Sequence, residues 1–184
     1  YNSTGREEYL NQARTSYLYY ISHFLDKKSG GVFWSVSAGG QVLNDRKQIY
    51  AQAFGIYALS EFYKASQEAD AIMYAVDLYN LIEEHAFDNQ NNGYIEALWR
   101  NWTGLEDLRL SPKDANEPKS MNTHLHILEA YTNLYEVWKD RDLKTQLQNL
   151  VKLHLETILD SRSGHFRLFF DMGWNSRSEK YSYG

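Results

Sequence analysis

Leu25-Asp26-Lys27-Lys28-Ser29-Gly30-Gly31, Phe87-Asp88-Asn89-Gln90-Asn91-Asn92-Gly93 and Leu159-Asp160-Ser161-Arg162-Ser163-Gly164-His165 are three versions of one turn. Each places an aspartate second and a glycine near its end, and each leads into a short aromatic or β-prone run: Val32-Phe33-Trp34, Tyr94-Ile95 and Phe166 to Phe170. The aspartates lie 62 and 72 residues apart. A repeat of that size holds two helices and a turn, a hairpin whose apolar face must be buried against its neighbours.

The segments between the turns carry helical periodicity. From Asp45 to Gln67, residues Ile49, Ala53, Ile56, Leu59, Phe62 and Tyr63 recur at helical spacing with no proline and one glycine. Similar patterns predict helices over Arg6–Leu25, Ala69–Ala86, Ser120–Lys139 and Leu143–Leu159, five in all. The only prolines, Pro112 and Pro118, fall in one loop, so none breaks a helix interior. Hairpins of this kind stack as an open solenoid or close into an α/α barrel. The stretch from Phe87 to Lys119 is too long for a connector and carries Tyr94, Trp99, Trp102 and several charges, which favours a barrel with a site built by its loops. The expected fold class is therefore all-α: part of an α/α barrel with a long loop and short β-like segments, in one domain over 1–184.

The chain has 184 residues, with 19 Lys and Arg against 24 Asp and Glu, a formal charge of −5. Nucleic-acid binding needs a clustered positive surface, and none is visible. A hydrophobic content of 43% with 15 Tyr, 8 Phe and 5 Trp argues for one sizeable core rather than disorder. No segment approaches the roughly 20 apolar residues that span a bilayer. The absence of cysteine excludes disulfides and thiolate metal sites and makes a reducing, cytoplasmic setting the simplest expectation. Asn2-Ser3-Thr4 and Asn101-Trp102-Thr103 match the glycosylation sequon, a pattern too short to weigh without evidence of secretion.

The densest chemical motif is Lys119-Ser120-Met121-Asn122-Thr123-His124-Leu125-His126, which opens a predicted helix. At about 100° per residue Asn122 and His126 share a face, whereas His124 and His126 diverge and are not placed to chelate a metal together. Asn122 and His126 either satisfy each other in a helix interface or line a polar cavity. Imidazole suits the second role, since its ordinary pKa of about 6.5 lets it exchange a proton near neutrality. Tyr50 either points into the same cavity or bonds a neighbouring backbone group. His23, His85, His154 and His165 lack such a partner and are expected at the surface or at helix caps. Asp88, Glu96, Glu106, Asp107, Asp114 and Glu117 offer loop carboxylates; glycoside hydrolysis would need two of them about 5 to 9.5 Å apart, and solvated loop charges are the simpler reading. Trp34, Trp99 and Trp102 could stack on sugar rings, with core packing as the alternative. No phosphate cradle, nucleophile elbow or zinc-ligand spacing is present.

From Lys119 through Tyr131 and Thr132-Asn133-Leu134-Tyr135, the chain resembles the cellobiose 2-epimerases of the N-acylglucosamine 2-epimerase group. The likeness extends to Gly30-Gly31-Val32-Phe33-Trp34, to Tyr50 with Ala53-Phe54-Gly55-Ile56-Tyr57-Ala58-Leu59-Ser60, to Ser111–Glu117 and to Tyr181-Ser182-Tyr183-Gly184. It covers the whole chain but only the middle of the family's length. The resemblance implies an (α/α)6 barrel and an isomerase of carbohydrate metabolism that inverts C2 of a reducing-end sugar through a cis-enediolate, cellobiose or a related β-linked disaccharide being the expected substrate. It implies two histidines as acid and base and no metal or nucleotide cofactor. Neither histidine is in this chain, nor is the family's early arginine, whose position Arg46 does not match, so the fragment alone is expected to be inactive. What carries over is His126 as stabiliser of the enediolate, Asn122 and Tyr50 as substrate contacts, and Asp114 as a contact to the second sugar. An α/α-barrel glycoside hydrolase and a noncatalytic sugar-binding protein are the alternative readings. The expected partner is a small sugar, with no nucleic acid or membrane; oligomeric state is not legible.

Overall fold

The computed structural model describes residues 1–177. Among the described residues five α-helices form: α1 (Glu7–His23), α2 (Ile49–Ser66), α3 (Ala69–His85), α4 (Met121–Val137) and α5 (Arg141–Leu153), the last running into a π-helical turn over His154–Ile158. Five helices were expected, and the differences lie at their ends. The expected start of the second helix at Asp45 is too early, because Lys47–Gln48 pair in a strand before the helix begins. The last begins two residues earlier than its apolar pattern, because the Asp140 carboxylate caps it by accepting from the N–H groups of Asp142 and Leu143.

Helices α2 and α4 run side by side in the same direction. Tyr50 and Phe54 of α2 meet His126 of α4, and further along the Asn133 amide donates to the Tyr57 carbonyl at 3.1 Å. Around them α1, α3 and α5 form an outer layer. Ile49, Ala53, Ile56 and Leu59 of α2, Ala75, Leu78 and Ile82 of α3, and Ile127, Tyr131 and Leu134 of α4 fill the space between the layers. Gly55 makes one close approach possible: a Cβ there would lie 2.3 Å from the Tyr20 hydroxyl. Two inner helices flanked by three outer ones make an arc of an α/α barrel.

Six short strands among the described residues pair antiparallel: β1 (Ser35–Val36) with β2 (Val42–Asn44), β3 (Lys47–Gln48) with β4 (Ala97–Leu98), and β5 (Lys119–Ser120) with β6 (Phe169–Phe170). β3 and β5 lead directly into α2 and α4, so these ladders fix where the inner helices start.

The repeated turn is a built device. The Asp26 carboxylate accepts the N–H groups of Lys28 and Ser29, and Asp88 accepts those of Gln90 and Asn91. A lysine buried just before each inner helix reaches back to the turn. Lys47 Nζ donates to Asp26 Oδ2 at 3.0 Å and the Gly30 carbonyl at 2.7 Å; Lys119 Nζ donates to Asp88 Oδ2 at 2.8 Å and the Asn92 carbonyl at 2.7 Å. Indoles lie over both: Trp102 Nε1–H donates to the Ser29 carbonyl and Trp174 Nε1–H to that of Asn91. Lys47 and Lys119, Trp102 and Trp174, and Asp88 and Asp160 are each 72 residues apart, but Asp26 and Asp88 only 62, so the second copy carries ten extra residues between Glu96 and Lys119.

Candidate active site

The 72-residue register pairs Tyr50 with Asn122, Phe54 with His126 and Tyr57 with Glu129. On two parallel helices these form matching stripes at i, i+4 and i+7, on the face the outer helices leave uncovered. The α2 stripe is aromatic and the α4 stripe polar. The His126 ring lies 4.9 Å from that of Tyr50, edge-on at 83°, and 4.7 Å from that of Phe54. Its Nδ1 is 2.7 Å from Glu129 Oε2. Phe54, Tyr57, His126 and Glu129 line a cavity of about 250 Å³.

Asn122 does not satisfy His126; it is exposed and lines a second cavity of about 230 Å³ with Glu96, Arg109, Asp114 and Glu117. The extra residues of the long loop build this second cavity. Arg46 holds the loop by donating to the Arg109 carbonyl at 2.9 Å, and the Gln48 amide donates to the carbonyls of Leu108 and Arg109. Asp114 Oδ2 accepts the Ser111 N–H at 2.8 Å, which fixes its direction in the loop. Arg109 pairs with Asp107 and so carries compensated charge into the cavity wall.

Glu96 forms the floor and ties the loop to α4. Its Oε1 accepts from the Ser120 N–H at 2.9 Å and hydroxyl at 2.8 Å, and its Oε2 accepts from the Thr123 hydroxyl at 2.7 Å. The Ser120 Oγ in turn accepts the Thr123 N–H, which caps the first turn of α4, the turn that carries Asn122. Burial pushes the Glu96 carboxyl up to about 7; the hydrogen bonds oppose that rise and the charge of Asp114 adds to it.

Several candidates serve the scaffold instead. Trp102 packs over Gly31 and Lys47 and stacks on His85, so its face is spent on the turn. Trp34 lies beneath the Arg46 guanidinium, while Trp99 is half exposed. Asp88 is held by Lys119, and Asp107 by Arg109. Asp88 and Glu96 thus have their oxygens engaged by fixed donors, an arrangement ill suited to glycosidic acid–base work. His124 is buried, its Nδ1 2.7 Å from the Ser120 carbonyl and its Nε2 accepting the Tyr94 N–H at 2.8 Å. Burial drives its pKa down to about 3, so it stays neutral as a structural joint. His154, expected at the surface or a cap, is the C-cap of α5 but is buried there, where the helix passes into the π-turn, with Nδ1 2.8 Å from the Leu150 carbonyl. The quoted Tyr181–Gly184 lies outside the described residues. Among the described residues no group of three His, Asp or Glu is placed to hold a metal ion, and no helix is long and apolar enough to cross a membrane.

The sequence model for N-acylglucosamine 2-epimerase (GlcNAc 2-epimerase) matches residues 1–182. The chain belongs to the N-acylglucosamine 2-epimerase family. Among family relatives, a cellobiose 2-epimerase of Bacteroides fragilis is 54% identical over all 184 residues, and one of Dictyoglomus turgidum is 39% identical over the same span. The chain spans about half the length of these relatives, 47% of each. The solved structure of cellobiose 2-epimerase from Bacillus thermoamylovorans B4167 superposes with a TM-score of 0.89 at 42% identity, over 93% of this chain and 44% of that one. The arc of inner and outer helices in this family member is part of an α/α barrel.

Glu129 was not singled out by sequence reasoning. Its spacing of three residues from His126 on a predicted helix was the available signal, since such neighbours meet on one face.

Proposed function

We propose that this chain forms the part of a sugar 2-epimerase that holds the reducing-end sugar, and that the whole enzyme inverts C2 of cellobiose or a related β-linked disaccharide through a cis-enediolate. The observation that carries the reading is the convergence of Tyr50, Asn122 and His126 on the uncovered face of two parallel inner helices, in a chain 54% identical to a cellobiose 2-epimerase. An enediolate concentrates negative charge on oxygen. Preorganised donors in a water-poor cavity stabilise it, each typically worth about 2.7 to 4 kcal/mol. In this reading His126 serves the enediolate oxygens, Asn122 and Tyr50 contact the sugar, and Asp114 meets the second sugar from the inserted loop. Deprotonation and reprotonation of C2 fall to groups outside these residues, so the isolated chain binds sugar weakly and turns none over. No metal or nucleotide enters the proposed chemistry, and the cysteine-free composition supports a cytoplasmic setting.

The test is proton NMR of the full-length gene product with cellobiose in D2O. Deuterium entering C2 of the reducing-end glucose, together with a new 2-epimer, is the expected result. No exchange on cellobiose, mannobiose or N-acetylglucosamine overturns it. Release of monosaccharide without exchange at C2 would instead establish the glycoside hydrolase alternative, and binding without either would establish a noncatalytic one.

A further inference from the structure

Glu129 is the only described residue that hydrogen-bonds the His126 ring, at 2.7 Å on Nδ1. A carboxylate can only accept, so this contact assigns a proton to Nδ1 and leaves Nε2 as the ring nitrogen available to another partner, in a side chain that lines a cavity. The rings of Tyr50 and Phe54, at 4.9 and 4.7 Å, limit rotation of the imidazole about its Cβ–Cγ bond. The contact therefore places a proton on Nδ1, and the neighbouring rings restrict the orientation of the imidazole.

We propose that Glu129 is a positioning residue for His126, holding it as the Nδ1–H tautomer with Nε2 presented to the sugar oxygens. The proposal rests on the epimerase reading only for what meets Nε2. When Nε2 takes a proton from a sugar hydroxyl, the ring carries both protons and the Glu129 carboxylate compensates its positive charge; when Nε2 returns the proton to oxygen, the neutral tautomer is restored. No bond to carbon forms in this exchange. The geometry also separates this role from a structural one. Glu129 is half exposed and spaced i, i+3 from its partner, and such pairs contribute little to folding.

The experiment uses the full-length enzyme with cellobiose, comparing wild type, Glu129→Ala and Glu129→Gln by steady-state kinetics and by nitrogen NMR of the His126 ring, assigned against His126→Ala. In Glu129→Ala kcat is expected to fall about 10- to 100-fold, the scale seen when a metal-bound histidine loses the group that orients it, with KM little changed and the Nδ1–H tautomer no longer dominant. Glu129→Gln keeps a carbonyl acceptor for the same proton and is expected to recover the tautomer and part of kcat. Wild-type kcat in Glu129→Ala overturns the proposal, as does a loss of kcat with the His126 tautomer unchanged. If wild type shows no exchange at C2, the epimerase reading falls, and the tautomer comparison still decides whether Glu129 positions His126.

Discussion

Replacing Lys119 with methionine keeps the length and apolar stem of the side chain but removes an ammonium that donates to Asp88 Oδ2 and to the carbonyls of Asn92 and Met172, each at 2.7 to 2.8 Å. Both members of the ion pair are buried, with side-chain exposures of 0% and 6%. Stranding one charge of a buried pair typically costs about 3 to 5 kcal/mol, a large share of a domain's stability. The pH dependence gives an independent check. Burial alone would raise the Asp88 carboxyl; hydrogen bonds from Lys119 and from the Asn91 and Gln90 N–H groups overcome it and hold it down to about 2. A depressed carboxylate stabilises the fold above its ordinary titration range and loses that contribution as pH falls toward 2. In Lys119→Met, burial is left opposed by fewer donors, so Asp88 takes up its proton at higher pH and the stranded charge is relieved. Urea unfolding followed by far-UV circular dichroism should therefore show a gap of about 3 to 5 kcal/mol between wild type and variant at pH 7, narrowing below about pH 4. A gap under about 1 kcal/mol at pH 7, or one that does not narrow in acid, would refute the reasoning, since exposed pairs are worth no more than that.

Gly93→Ala should lower the melting temperature sharply, because its φ of +78° costs a side chain about 1 to 2 kcal/mol and a Cβ there would lie 2.3 Å from Trp174 Cζ2 and 2.8 Å from His124 Nε2. An unchanged melting temperature would show that these neighbours yield freely. His126→Ala in the full-length enzyme should reduce kcat about 100- to 1000-fold with a much smaller change in KM, as expected for a group that takes a proton from a sugar oxygen and returns it in the course of the reaction. Equal losses in both constants, or none, would reject that role. Glu96, raised to about 7, binds a proton more tightly folded than unfolded, so its contribution to stability is complete below about pH 4.5 and is lost as pH rises toward 7. Glu96→Gln should flatten the unfolding free energy between pH 5 and 7.5, and a slope equal to wild type would sink the assignment.

The helices were legible because their apolar residues recur with the 3.6 period and no proline interrupts them. The hairpin repeat was legible because a turn with left-handed backbone needs glycine or asparagine at fixed places, here Gly30, Asn92, Gly93 and Gly164. The 72-residue register was not, because ten inserted residues shift the spacing of the first two aspartates and leave only the third in step. Strands of two or three residues are too short to show alternation. Lys47 and Lys119 gave no signal either, since lysine is ordinarily a surface residue and only the turn carbonyls and aspartates explain its burial. At the site, helical spacing placed Asn122 and His126 on one face, but it could not say that they line neighbouring cavities rather than bond each other. The residues left Tyr50 open between the cavity and a backbone partner and offered Asp114 only as one of several loop carboxylates; their roles as sugar contacts came from family likeness, because contacts between α2 and α4, and between the inserted loop and the start of α4, are separated in sequence by dozens of residues.

The two inner helices are copies anchored alike and dressed differently. Each starts from a lysine clasped to an aspartate turn beneath an indole, yet three outward positions read Tyr50, Phe54, Tyr57 on one and Asn122, His126, Glu129 on the other. Anchorage and the proposed chemistry therefore draw on different residues, and a duplicated hairpin can exchange an aromatic wall for a polar one without loosening its clasp. For an engineer, the stripes are the editable text of this architecture and the clasps its binding.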